Sequence, residues 1–137
     1  MTCNIIHPGH IKCLKWLWSF EKEKHGHLYR NDIYISLLTN KALKGYKKEI
    51  VPFKDRKYIL EHLWIPEFGY NNIYVVPQNS LNPSENIKKY KPNAIASGDG
   101  WEKEESKAIK KHKIRKINIT LPKKYSSSAI INKCKKS

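Results

Sequence analysis

The sequence predicts an α/β domain built as a doubly wound parallel sheet, on three observations. Short β-branched runs alternate with stretches of helical spacing through the whole chain, as strands and covering helices do when parallel strands need crossovers. The chain of 137 residues is 39% apolar, enough for one core and one domain spanning 1–137. Nothing repeats internally, so a solenoid or array is not expected.

The first element follows "IIHPGH" at residues 5–10, where a Pro-Gly pair predicts a tight turn. Ile11, Leu14, Leu17 and Trp18 in "IKCLKWLWSFEKEK" then recur at helical spacing. A polar connection, "EKEKHGHLYRND", leads to "IYISLLT" at 33–39, read as a buried strand. "NKALKGYKKEIVP" reads as a basic loop, and "FKDRKYILEHLW" as a helix carried by Tyr58, Ile59 and Leu63. "NIYVVP" is the next strand, and "NPSENIKKY" a helix with Ser84 as its cap. "NAIAS" is a strand, and "WEKEESKAIKKHK" a helix with acids in its first turn and lysines in its last, as the helix dipole favours. "RKINITLP" is a strand, and "SSSAIINKCKK" a closing helix with serines at its start.

Composition narrows the function classes. With 27 Lys and Arg against 12 Asp and Glu, the formal charge is +15. Such a field draws polyanions or phosphorylated ligands, although scattered exposed lysines also need no partner. No apolar run is long enough to cross a membrane and no leader pattern is present, so the expected address is the cytoplasm. Cys3, Cys13 and Cys134 are too widely spaced to suggest a disulfide framework or a zinc site, and no metal ligands are assigned. His7 and His10 stand where an apolar stub turns into a helix, and a helix N-terminus offers unbonded N–H groups and partial positive charge to phosphate.

Four motifs in order, "HPGH", "LLTNKALKGYKK…PFKDR", "PNAIASGDGW" and "YSSSAII", carry a resemblance across nearly the whole chain. The sequence resembles the HxGH-motif nucleotidyltransferases, most of all the glycerol-3-phosphate cytidylyltransferase branch of the cytidylyltransferase-like family, with the heptose-phosphate adenylyltransferases similar but more distant. The resemblance implies a Rossmann-like nucleotidyltransferase fold that binds a nucleoside triphosphate at the carboxyl ends of its strands. It implies transfer of a nucleotidyl group to a small phosphorylated alcohol or sugar with release of pyrophosphate. CTP is favoured because Trp101 follows the Gly98-Asp99 turn, and ATP is the alternative. It further implies Mg²⁺ accompanying the triphosphate and a homodimer; no membrane partner is expected from the lack of a spanning apolar run, and nucleic acid is not the expected partner.

By the same resemblance His7, His10, Lys44 and Lys47 are the catalytic positions. The histidines and the helix beginning near His10 would meet the α- and β-phosphates, and the lysines the incoming phosphate and the leaving group. Thr2, Cys3, Gly9, Arg56, Gly98, Asp99, Trp101, Lys123, Ser126, Ser127 and Ser128 match nucleotide-binding positions. His25, His27, His62 and His112 match no motif and are expected on the surface or in connections. The chain departs from the family at "MTCNIIHPGH", where Cys3 stands for an aromatic and Asn4 for an aspartate, and where the strand before them, central in the family's sheet, is missing. Gly100 replaces a second aspartate, and Lys123-Lys124-Tyr125 shortens the segment before the serines. A nucleotide- or nucleic-acid-binding relic of the same fold is the second reading.

Overall fold

A computed structural model describes Met1, Cys3, residues 5–21, Gly26, residues 31–63, Ile65, Pro66, and residues 73–98, 100–120 and 126–136. The first helix, α1 (Pro8–Ser19), starts at a proline whose fixed φ suits the first helical position. It ends where the Asn31 amide donates to the carbonyls of Leu17 (2.7 Å) and Phe20 (3.0 Å), closing the helix with a side chain from beyond the connection. Strand β1 (Ile33–Leu38) runs parallel to β2 (Ile73–Gln78), with Ile33 opposite Ile73 and Leu38 opposite Gln78. Pro77 falls in β2, an edge strand, where a missing ladder donor is tolerated.

Between them lie α2 (Asn40–Leu43) and α3 (Phe53–Glu61). The α2 turn is a departure from the basic loop expected there: the Thr39 hydroxyl accepts from the Ala42 N–H at 3.3 Å and nucleates it. After β2 comes α4 (Ser84–Tyr90), in which Ser84 is already helical and does not cap. Its N–H instead donates to the Asn82 side chain at 3.0 Å, so asparagine performs the task expected of the serine. Strands β3 (Ala94–Ser97) and β4 (Arg115–Asn118) pair in parallel around α5 (Lys103–His112), and α6 (Ser127–Lys135) closes the chain.

The alternation of strands and helices is as expected, and both strand pairs are parallel. The single sheet resolves, among the described residues, into two parallel pairs, β1 with β2 and β3 with β4. The edge of β1 away from β2 is met by Met1. The Met1 nitrogen donates to the Ser36 carbonyl at 2.8 Å and its carbonyl accepts from the Leu38 N–H at 3.0 Å. This is the two-bond pattern of a parallel bridge opposite Leu37. Among the described residues, Met1 thus stands in the lane beside β1.

Helices lie on both faces of the first pair. Ile33, Ile35 and Leu37 project to one side, where they form the main core with Leu14 and Trp18 of α1, Leu60 of α3, Ile65 and Cys3. On the other side α4 packs, its Asn86 amide donating to the Ser36 hydroxyl (2.8 Å) and the Pro77 carbonyl (3.0 Å). Among the described residues no helix is long and apolar enough to cross a membrane.

Cys3 is 1% exposed, and burial pushes its thiol pKa up to about 11. Cys134, on α6, is exposed. A thiol-specific disulfide reagent at pH 8 should therefore label Cys134 rapidly and Cys3 only after denaturant is added, because the thiolate is the reacting form. Mass mapping of the labelled peptides at early times would show this, and fast labelling of Cys3 in the native protein would contradict its placement.

Candidate anion site at two helix N-termini

His7 is the N-cap of α1, in an extended backbone conformation that frees its ring to turn back onto the helix. Its Nδ1 accepts from the Gly9 N–H at 3.1 Å, while the His7 N–H donates to Nδ1 of His10 at 3.3 Å. The pair forms a reciprocal capping box in which imidazoles replace the usual hydroxyl and carboxylate. The rings lie 4.0 Å apart between centroids, inclined at 43°. Since both Nδ1 atoms accept, each neutral ring carries its proton on Nε2. Two N–H donors are thereby oriented beside the positive end of the α1 dipole.

A second helix N-terminus, that of α6, is brought against the segment that leads into α1. Ser126 caps α6, its hydroxyl accepting from the Ala129 N–H at 3.0 Å. Ser127, in the first turn, donates its hydroxyl to the Ile5 carbonyl at 3.3 Å, two residues before His7. Ser128 follows, exposed, in the same turn. The serine segment and "HPGH", some 120 residues apart in sequence, are in this way neighbours in space.

Gly98, at the end of β3, faces α1 directly: a Cβ there would stand 3.5 Å from the Cys13 sulfur and 3.9 Å from Ile119. The following turn uses Gly100 at φ +90°, a conformation that favours glycine. The Trp101 indole donates to the Asn118 side chain at 2.7 Å, and the Lys116 ammonium lies 5.2 Å from its ring centre. Lys44 caps the C-terminus of α2, and both it and Lys47 are exposed on the loop after β1. Between them Tyr46 donates its hydroxyl to Glu102 at 2.8 Å, tying the basic loop to the turn after β3. Asn118, Lys116 and Glu102 belong to no motif, and Tyr46, within the second motif, is given no role by the resemblance; only the fold brings them here. Beside α1, a recess of about 530 Å³ is walled by Ile6, His7, Ile11 and Leu63, with Lys12 and Lys15 along it.

Arg56 has a different setting from the nucleotide contact that the resemblance implies. It is 0% exposed. Its guanidinium donates to the carbonyls of Val51 (2.8 Å) and Leu38 (2.9 Å) and to the Asn40 side chain (3.1 Å). Burial lowers its pKa, opposed by Glu49 and Cys3. The Asn40 oxygen also accepts from the Phe53 N–H at 2.8 Å, so Arg56 fixes both ends of the basic loop from beneath. Cys3, assigned to the nucleotide, is packed in the core. Thr2, Asp99 and Lys123 lie outside the described residues, as do His25 and His27. His62 is exposed as expected, stacked on Tyr58 at 4.0 Å. His112 is not a surface residue: it is half-buried at the end of α5, and its Nε2 is enclosed with no hydrogen-bond partner among the described residues.

Among the described residues no cluster of three or more His, Cys, Asp or Glu side chains could hold a metal ion. The chain matches no protein-family model and no curated protein.

Proposed function

We propose that the chain is a nucleotidyltransferase of a doubly wound α/β fold, activating a small phosphorylated alcohol or sugar with a nucleoside triphosphate, CTP in preference to ATP. The observation that supports this reading is the hydrogen bond by which the first turn of α6 meets Ile5, two residues before the His7–His10 box that opens α1. In this reading the two helix dipoles and the Nε2–H groups of the two rings act together on a polyphosphate chain.

In this reaction an acceptor phosphate oxygen attacks the α-phosphorus. A new P–O bond forms, the bond to the β-phosphate bridge breaks, and pyrophosphate leaves with the electron pair. The protein contributes position and charge stabilisation rather than covalent chemistry. His7 and His10 donate to α- and β-phosphate oxygens through Nε2. The Ser126–Ser128 turn holds the far phosphates with hydroxyl and backbone N–H groups. Lys44 and Lys47, exposed on a loop that Tyr46 anchors to Glu102, supply mobile cations to the incoming phosphate and the leaving group. Gly98 and Trp101 lie beside the base, and the recess beside His7 gives the acceptor room next to Lys12 and Lys15. Magnesium would come bound to the triphosphate, whose charge it neutralises. A homodimer is the expected assembly by resemblance.

Titration calorimetry with CTP, then ATP, each with Mg²⁺, should give saturable heat, larger in affinity for CTP. No heat from either nucleotide at millimolar concentration would end this reading. Heat without pyrophosphate release, across glycerol 3-phosphate and a panel of sugar phosphates, would make the protein a binding relic.

A further inference from the structure

The direction of the helices sorts the charge of this molecule. A helix joining or covering parallel strands runs back against them, so its C-terminus lies level with the strand starts. The contacts agree: Tyr90 at the end of α4 packs 5.3 Å from Tyr34 at the start of β1, and Arg115 at the start of β4 pairs with Glu21 just beyond α1. At that pole α4 ends on Lys88, Lys89 and Lys91, and α5, which packs against α4, ends on Lys110, Lys111 and Lys113. The acids of these helices, Glu85, Glu104 and Glu105, stand in their first turns, at the opposite pole. Among the described residues, Asp32 just before β1 and Glu21, paired with Arg115, are acids near the strand starts.

The same pole carries an aromatic row. Tyr34 and Tyr74, opposite one another across β1 and β2, are 46% and 45% exposed and stack at 4.9 Å and 25°. Tyr90 adds a third ring, tilted at 37° to Tyr34 and 5.3 Å from it between centroids, and the Lys89 ammonium lies 5.3 Å from the Tyr90 ring. Tyr74, on the edge strand, terminates it. Lysines in a last helical turn suit the helix dipole whatever their partner. Exposed stacked tyrosines bordering them add something the dipole does not require: a surface for π-faces beside a track of positive charge, the combination that holds unpaired bases and their phosphates.

We propose that this pole, remote from the His7–His10 site, binds single-stranded nucleic acid, bases continuing the tyrosine row from Tyr74 and phosphates following the lysines of α4 and α5. A membrane surface would use the charge but leave the stacked rings unexplained, and a duplex hides its base faces.

The test is fluorescence anisotropy with labelled dT15, alongside a 15-base-pair duplex, heparin as competitor, and vesicles of phosphatidylcholine with phosphatidylglycerol. The protein should bind dT15 in preference to the duplex. Its log affinity should fall with log salt at a slope of about −0.7 per phosphate contacted. Tyr74→Ser, at an exposed edge position, should weaken dT15 binding by roughly 5-fold or more while sparing duplex binding. The triple variant K88Q/K89Q/K91Q should weaken both and flatten the salt slope, and saturating CTP should leave dT15 affinity unchanged. Thermal melts of each variant would separate lost binding from lost fold. Equal affinity for duplex and dT15 with no effect of Tyr74→Ser would reduce the pole to unspecific charge. Binding to vesicles but not to dT15, or competition by CTP, would equally overturn the proposal.

Discussion

Replacing His10 with alanine should lower pyrophosphate release by roughly 10²-fold or more, because it removes an oriented donor to the phosphates. It also removes the acceptor of the His7 N–H, half of the box that closes the α1 N-terminus. The alanine variant alone would therefore mix two effects. Glutamate separates them, since it is the usual partner at this position of a capping box and still accepts that N–H. His10→Glu should keep the thermal midpoint close to that of the parent and lose activity at least as severely, a carboxylate repelling the phosphates it must face. Full activity in both variants would remove His10 from the site. His112→Ala is the contrast, with turnover unaffected because that ring is at the far end of α5.

Arg56→Met should destabilise the fold by about 3 kcal/mol or more, since it leaves three acceptors without their donor and a buried acceptor left unsatisfied costs about 1–3 kcal/mol. The cost arises from what is left behind. The Leu38 and Val51 carbonyls and the Asn40 oxygen would each lose a charge-assisted donor, and buried acceptors without partners are expensive. Arg56→Lys should recover little, since an ammonium on a shorter reach cannot serve acceptors spread around a planar fork. Urea unfolding followed by tryptophan fluorescence would measure both. A loss below about 1 kcal/mol for Arg56→Met would mean that water substitutes for the guanidinium and that the residue is available for a ligand after all. Because the basic loop is pinned through Asn40, Arg56→Lys should also raise the KM for the triphosphate.

The elements were legible in the sequence wherever local rules suffice. Local signals marked the four strands and every helix but α2, since β-branched runs such as Ile33–Leu38 and acid-to-lysine helices such as α5 carry them within a few residues. Ser126 marked the start of α6, whereas the Pro8-Gly9 pair, expected as a tight turn before a helix beginning near His10, is itself the first turn of α1, because the fixed φ of proline suits the first helical position and the His7 ring caps it. Errors fell where a neighbour's side chain made the decision. Thr39 turned four residues of an expected loop into α2, and Asn82 took the cap expected of Ser84.

Residue identity by itself determined a basic α/β chain with two histidines at a helix start. The tertiary structure alone decided what those histidines meet. Ser127 reaches Ile5 only because α6 returns to α1, and Gly98 abuts Cys13 only because β3 ends beside that helix. It also decided the fate of Arg56, whose sequence context reads as a ligand contact and whose guanidinium is enclosed because three oxygens from β1, α2 and the following loop converge on it. Hydrogen-bond satisfaction of buried groups is a property of the whole packing, which no window of sequence contains. The gathering of lysines and tyrosines at one pole has the same origin: each helix end follows a local rule, and only the shared direction of the strands places those ends side by side.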